Sequence, residues 1–234
     1  KRKFSISTSL IPVEWNKVKI NILDTPGFFD FVGEVEEAAS AADGAVIVVS
    51  GKAGVQVGTQ KAWEICERFN LPRIIFVTDM DIDNVSYRKV IEQLEELFGN
   101  KIAPVYMPIR ENEKFVGYVN IIKNKGRKYV ERDKKVEIDI PDYCEEYRDT
   151  YRDALMEAVA ETSEEFMDRY FGGEEFSEAE IYAALATSVS DCSLVPVGMG
   201  SPVNLQGVTN LLDDIISFFP SPALLKRAGF DKNS

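Results

Sequence analysis

The first half of the chain alternates short apolar runs with amphipathic segments. Strand-length apolar runs occur at 4–12, 18–23, 45–50 and 72–77. Apolar residues recur at helical spacing in the segments 34–42, 59–69 and 85–98. The first two runs are expected to pair around a turn at 14–17. Apolar strands that alternate with helices are typical of a mostly parallel sheet covered on both faces. The pattern therefore predicts an α/β fold.

The pattern changes at about residue 99. Strand-like runs separated by polar turns follow at 102–109, 115–122 and 128–138, and helical spacing then continues to 188. Ser177 and Glu180 are spaced as a capping box at the start of the last of these helices. A buried strand at 193–197 and a helix at 207–219 return to the first pattern. We expect a core of residues 1–98 and 191–234, with an inserted acidic α+β subdomain at 99–190.

Charge and composition restrict the function. The net charge is −12, and 18 acidic against 6 basic residues between Glu131 and Glu180 account for all of it. Such a surface repels phosphate, so we expect no direct, sequence-specific nucleic-acid binding. Histidine is absent, which excludes Ser-His, Cys-His and His-metal chemistry. Three distant cysteines fit free thiols in a reducing compartment. No apolar run reaches the ~20 residues of a membrane helix.

The strand at 18–23 runs into Asp24-Thr25-Pro26-Gly27. A carboxylate at the carboxyl end of a strand can hold Mg²⁺ through water. A glycine N–H can approach a phosphate closely because no side chain intervenes. These four residues alone fit an ordinary exit from a strand equally well.

The surrounding residues favour a phosphate and Mg²⁺ site over an ordinary exit from a strand. Asp24 to Phe31 with Glu34-Val35-Glu36 resembles the second switch of translational GTPases, and Arg2-Lys3-Phe4-Ser5-Ile6 resembles the end of the first switch. The run 73–81 is similar to the guanine-recognition strand. The segments 103–109, 115–119 and 157–161 resemble the extra subdomain of elongation factor G, and 218–222 is similar to the exit from that domain. Related ribosomal-protection and release factors lack this insertion, so the resemblance is to elongation factor G or a close paralogue.

The resemblance implies a P-loop-GTPase-like fold, GTP or GDP with Mg²⁺, and a role in ribosomal translocation. Asp24 and Ser5 would hold the metal, and Gly27 would sense the γ-phosphate. Thr78, Asp81 and Ser201 occupy the guanine-binding positions. The implied partners are the ribosome and its stalk protein, which would meet the acidic segment, with no membrane partner. The implied location is the cytoplasm.

Four departures from the family affect the binding and hydrolysis of GTP. The phosphate-binding motif G-x-x-x-x-G-K-[ST] does not occur in the sequence. Phe28 stands where the family has the histidine that orients the attacking water. Asp79 replaces the lysine whose stem packs over the base. Pro202 follows Ser201, at a position whose N–H would reach guanine, and proline has no N–H.

These departures lead to two expectations. The chain opens on Lys1 rather than Met, so we expect a piece of a longer protein; without its phosphate loop it should bind no GTP and leave two strand edges open. The functional alternatives are a hydrolysing translational GTPase and a non-hydrolysing paralogue that binds the ribosome or stalk as an interaction module. An unrelated doubly wound metabolic enzyme is a third.

Overall fold

The computed structural model describes residues 4–223. Ten strands and seven α-helices lie in this part of the chain, with two short 3-10 helices at Phe29–Phe31 and Gly99–Lys101. The strands are β1 (Ser9–Trp15), β2 (Val18–Asp24), β3 (Ala45–Ser50), β4 (Arg73–Thr78), β5 (Ile102–Pro104), β6 (Tyr106–Glu111), β7 (Lys114–Asn120), β8 (Lys125–Glu131), β9 (Lys134–Ile138) and β10 (Val195–Met199). The α-helices are α1 (Val32–Ala41), α2 (Val57–Arg68), α3 (Tyr87–Phe98), α4 (Asp142–Ala160), α5 (Glu164–Phe171), α6 (Glu178–Ser190) and α7 (Val208–Phe218).

A four-stranded parallel sheet with the order β3-β4-β10-β5 forms the centre of the fold. The strands β4 and β10 lie in its middle, and nearly every residue of both is buried. Ile74, Ile75 and Val77 are completely shielded from solvent. Burial on both faces explains why these runs are apolar throughout rather than alternating. The predicted α/β fold with helices around a parallel sheet is confirmed.

The strands β1 and β2 form a separate antiparallel hairpin. Asn16 and Lys17 at its turn have φ angles of 45° and 65°, as a tight two-residue hairpin turn requires. The predicted strand pair is therefore confirmed, but β1 begins at Ser9 rather than at residue 4 and extends to Trp15. In the described residues, neither β2 nor β3 has a strand partner on its outer side. The expectation that a missing phosphate-loop strand leaves these two edges open stays a prediction. The hairpin tip contacts α7, because Trp15 Nε1 and Asn16 Nδ2 both donate to Asp213 Oδ1, at 2.7 and 3.0 Å.

A second, antiparallel sheet has the order β6-β7-β8-β9. The sequence predicted one strand-like run at 102–109, and this was wrong, because the run divides between the two sheets. Its first part, β5, pairs with β10, and its second part, β6, pairs with β7. The division falls at Val105, whose N–H donates to Val197 O at 3.1 Å and whose carbonyl accepts from Ile121 N at 3.0 Å. The run at 128–138 is likewise a hairpin of β8 and β9.

The strand β5 belongs to the parallel sheet although the expected core ends at residue 98. The division into a core at 1–98 and 191–234 and a subdomain at 99–190 stays a prediction. The capping box before α6 is confirmed, since the Ser177 side chain accepts from Glu180 N and Glu180 accepts from Ser177 N.

Candidate nucleotide-binding site

Two loops meet at the carboxyl edge of the parallel sheet. Ser50 and Thr78 are paired at the ends of β3 and β4, and Met199 pairs with Val77 at the end of β10. Gly200 N donates to Val77 O at 2.9 Å, and Met80 N donates to Gly200 O at 3.3 Å. The backbone hydrogen bonds thus join the loop after β4 to the loop after β10. The structure brings Thr78, Asp81 and Ser201 to the same edge of the sheet, and their role in guanine binding stays a prediction.

The loop after β4 is held by its own side chains. Asp79 has a φ angle of 63°, in the left-handed region, and its Oδ2 accepts a hydrogen bond from Ser50 Oγ at 2.5 Å. The Thr78 hydroxyl donates to Val49 O at 3.4 Å. Met80 is fully buried and anchors the loop, whereas Asp81 is exposed and makes no hydrogen bond in the described part of the chain. The Asp81 carboxylate is therefore open to an outside group, as are the exposed side chains of Asp83 and Asn84 further along the loop.

Ser201 is buried and its polar groups have internal partners. Its backbone N–H donates to Gln206 O at 2.8 Å, and its hydroxyl accepts from Asn204 N at 3.2 Å. A Cβ on Gly200 would lie 2.2 Å from Gln206 O, so the tight approach of the two loop arms requires glycine there. Ser201 N–H is therefore committed to the loop itself, and Pro202 offers no donor in its place.

The second group of candidate residues follows β2. Asp24 and Gly27 are exposed, and a Cβ on Gly27 would meet nothing within 4 Å. Phe28 is 54% exposed, and its ring lies edge-on to the Phe4 ring at 4.9 Å between centroids. This contact brings Ser5, next to Phe4, near the turn. Phe28 therefore covers the surface beside the turn rather than filling the core.

A magnesium ion would find few protein ligands at this turn. No group of three or more Asp, Glu, Cys or His side chains that could hold a metal occurs within residues 4–223. Asp24 and Ser5 supply one carboxylate and one hydroxyl, which suits Mg²⁺ only when phosphate oxygens and water complete its shell. The predicted contribution of Arg2 and Lys3 falls outside the described residues. Within residues 4–223, no hydrogen bond or ion pair joins Ser5, Asp24 or Gly27 to the loops after β4 and β10.

Arg110 is a part of the site that the sequence did not predict. Its guanidinium NH2 donates to Met80 O at 3.1 Å, and NH1 donates to Glu113 O at 2.6 Å. The Tyr143 hydroxyl from α4 donates to Arg110 O at 2.8 Å and accepts from Arg110 N at 3.1 Å. Burial lowers the pKa of Arg110 from its ordinary value. An arginine 30 residues from the loop gives no local signal of this role.

A parallel sheet covered by helices, with its loops gathered at the carboxyl edge, is the architecture of nucleotide-binding α/β domains. The family model of the elongation factor Tu GTP-binding domain matches residues 1–221, and the chain belongs to that family. Proteins of this family bind guanine nucleotides with Mg²⁺.

A crystal structure of a protein from Thermus thermophilus is similar to this one, with a TM-score of 0.87 and 34% sequence identity. The match covers 94% of this chain and 33% of that chain, so this chain spans about a third of the length of the Thermus protein. No helix among residues 4–223 is long and apolar enough to cross a membrane.

Proposed function

We propose that this chain is the GTP-binding domain of an elongation-factor-G-like translation factor that binds the ribosome but has lost efficient GTP hydrolysis. The proposal rests on one observation above all. Phe28, directly after Asp24-Thr25-Pro26-Gly27, is 54% exposed beside the switch turn and in contact with Phe4. A phenyl ring neither donates nor accepts a proton, so it cannot orient an attacking water.

The loop after β4 supports the same proposal from the base-binding side. Asp79 places a carboxylate where a lysine would cover the base, and that carboxylate is held by Ser50 Oγ at 2.5 Å. Asp81 keeps the carboxylate that would pair with guanine, while the Ser201 N–H is used by Gln206 O. We infer that guanine recognition is reduced to Asp81. The contacts to the guanine base are therefore weakened together with the hydrolytic group.

The acidic helix α4 is the proposed partner surface. Asp149, Asp153 and Glu157 are exposed along it, while Leu155 on another face is buried. We propose that the ribosomal stalk protein meets these carboxylates, which would require a basic patch on that partner. Translocation, ribosome and stalk binding, and a cytoplasmic location remain parts of the proposal.

The experiment is GTP turnover and ribosome co-sedimentation measured on the full-length protein. We expect sedimentation with ribosomes and turnover no faster than that of ribosomes alone. Ribosome-stimulated turnover would favour the hydrolysing alternative, and failure to sediment with ribosomes in either nucleotide state would contradict the proposed role.

A further inference from the structure

A cleft of about 480 Å³ lies between the antiparallel sheet, helices α6 and α7, and the tip of the β1–β2 hairpin. This volume is in the range of ligand sites that hold a small organic molecule. Its lining includes none of Ser5, Asp24, Gly27, Thr78, Asp81 or Ser201. The cleft is therefore separate from the candidate nucleotide site.

One wall of the cleft is basic in a chain of net charge −12. It is lined by Lys123, Lys125, Arg127 and Lys135. Glu137 is shared by two of these cations, at 3.3 Å from Lys125 and 2.9 Å from Arg127. Lys123 forms no ion pair with any described residue, and its Nζ lies 5.9 Å from the centroid of the Tyr182 ring. Lys135 is paired with Asp133 at 3.8 Å, so two carboxylates face four cations, and the remaining positive charge favours an anion.

The α7 wall of the cleft, which Lys135 Nζ contacts at Thr209 and Asn210, offers acceptors. Asp214 is 3% exposed, and its Oδ1 accepts a hydrogen bond from the Tyr106 hydroxyl at 2.8 Å. Burial raises the pKa of Asp214 to about 7. Its chain neighbour Asp213 also lines the cleft, as does Asn210, whose Oδ1 is already filled by the Tyr118 hydroxyl at 3.2 Å and by Lys135 Nζ. The Oδ2 atoms of Asp213 and Asp214 are the oxygens left to accept hydrogen bonds from ligand hydroxyls.

The two walls together select a ligand with an anionic end and a hydroxyl-rich end. A simple anion would meet Asp213 and Asp214 unfavourably, and a neutral sugar would leave the basic wall unused. The rings of Tyr106, Tyr118 and Tyr182 add flat apolar surface between the walls.

We propose that this cleft binds a phosphorylated sugar, either free or as the sugar-phosphate part of a nucleotide, with phosphate at Lys123, Lys125 and Arg127 and hydroxyls towards Asp213 and Asp214. Lys123 contributes the unpaired charge at the phosphate end. The basic groups donate charge-assisted hydrogen bonds to the phosphate oxygens.

The test is isothermal titration calorimetry on the full chain with ribose 5-phosphate, cytidine 5′-monophosphate and unphosphorylated ribose. We expect the first two to bind and ribose not to bind. Equal affinities for the two phosphates identify a sugar phosphate as the ligand, whereas tighter binding of cytidine 5′-monophosphate identifies a nucleotide. Both outcomes support the proposal that the cleft binds a phosphorylated sugar. Absence of binding by both phosphates at millimolar concentration overturns the proposal.

Charge variants locate the binding. We expect Lys123→Met and Lys125→Met each to weaken ribose 5-phosphate binding about fivefold, the loss of roughly one phosphate contact. Lys134→Met is the matched control, because Lys134 is an exposed neighbour of Lys135 that does not line the cleft. Circular dichroism checks that each variant is folded. An equal affinity in the Lys123→Met and Lys134→Met variants would overturn the assignment.

Discussion

Asp133 caps helix α7, with its Oδ2 accepting a hydrogen bond from the backbone N–H of Thr209 at 2.9 Å. Its Oδ1 accepts from Gly207 N at 3.2 Å, and Gly207 has a φ angle of 82° before the helix begins. Asp133 lies in the turn between β8 and β9, so the antiparallel sheet supplies the cap of a helix that follows β10. Negative charge at this end also complements the helix dipole.

Asp133→Ala is expected to lower the free energy of unfolding by about 1 kcal/mol, because two N–H groups at the helix end lose their acceptor. The melting temperature should fall by roughly 2–4 °C for a chain of this size. Urea unfolding followed by circular dichroism measures the change. Asp139→Ala, at an exposed residue outside the cap, is the control. The same loss in both variants would show that Asp133 has no special role.

Asp214 should make stability depend on pH. Burial raises its folded-state pKa from the ordinary value of 3.8 to about 7, while the Tyr106 hydrogen bond lowers it in part. Between these two values the folded state binds more protons than the unfolded state, so this group's contribution to stability falls as pH rises from about 4 to about 7.

The Asp214→Asn variant removes that titration while keeping an acceptor for the Tyr106 hydroxyl. We expect the variant to gain stability relative to the wild type as pH rises from about 4 to about 8, measured by urea unfolding at each pH. Asp213→Asn, at the adjacent and exposed residue, serves as the comparison. A constant difference between the Asp214→Asn variant and the wild type across this range would contradict the raised pKa.

Arg110 should restrict the motion of the loop after β4. Arg110→Met removes the donor to Met80 O, and we expect faster hydrogen exchange at residues 78–83, since local opening then breaks fewer contacts. Tyr143→Phe removes the hydroxyl that holds the Arg110 backbone and should raise exchange in the same residues by a smaller factor. Arg132→Met, at an exposed turn, is the control. Unchanged exchange in the Arg110→Met variant would mean that the loop is held by its backbone bonds alone.

Phe28→His in the full-length protein is expected to restore little GTP turnover by itself. Asp79 would still place a carboxylate against the base site, so affinity would remain low. The double variant Phe28→His with Asp79→Lys should turn over GTP faster than either single variant, in a steady-state phosphate-release assay with ribosomes. Phe29→His is the matched control, because Phe29 is adjacent and 53% exposed. A large gain from Phe28→His alone would show that guanine recognition is intact.

Local patterns were sufficient to predict most of the fold. The apolar run 45–50 matches β3, and the turn near Asn16 and Lys17 matches the hairpin, because burial and turn geometry depend on neighbouring residues. The division of the run 102–109 at Val105 could not be predicted in this way. Its hydrogen-bond partners are Val197 and Ile121, and strand-like apolarity is the same in either sheet.

The same distinction applies to the candidate site. The sequence placed Thr78, Asp81 and Ser201 at strand ends, and parallel strands bring such ends to one edge. It did not predict that Ser50 would hold Asp79 or that Arg110 would reach Met80. Both contacts depend on side-chain directions across 29 or 30 residues of chain. The roles of Asp24, Gly27 and Ser5 toward a nucleotide remain predictions.

Consecutive residues of α7 connect two parts of the molecule that do not adjoin in sequence. Successive side chains of an α-helix point about 100° apart, so neighbours can serve different partners. Asp213 accepts from Trp15 and Asn16 of the hairpin, while Asp214 accepts from Tyr106 of the antiparallel sheet. A small rotation of α7 about its own axis would therefore alter both contacts together. Helix α7 therefore holds hydrogen bonds to the β1–β2 hairpin and to the antiparallel sheet at the same point along its length.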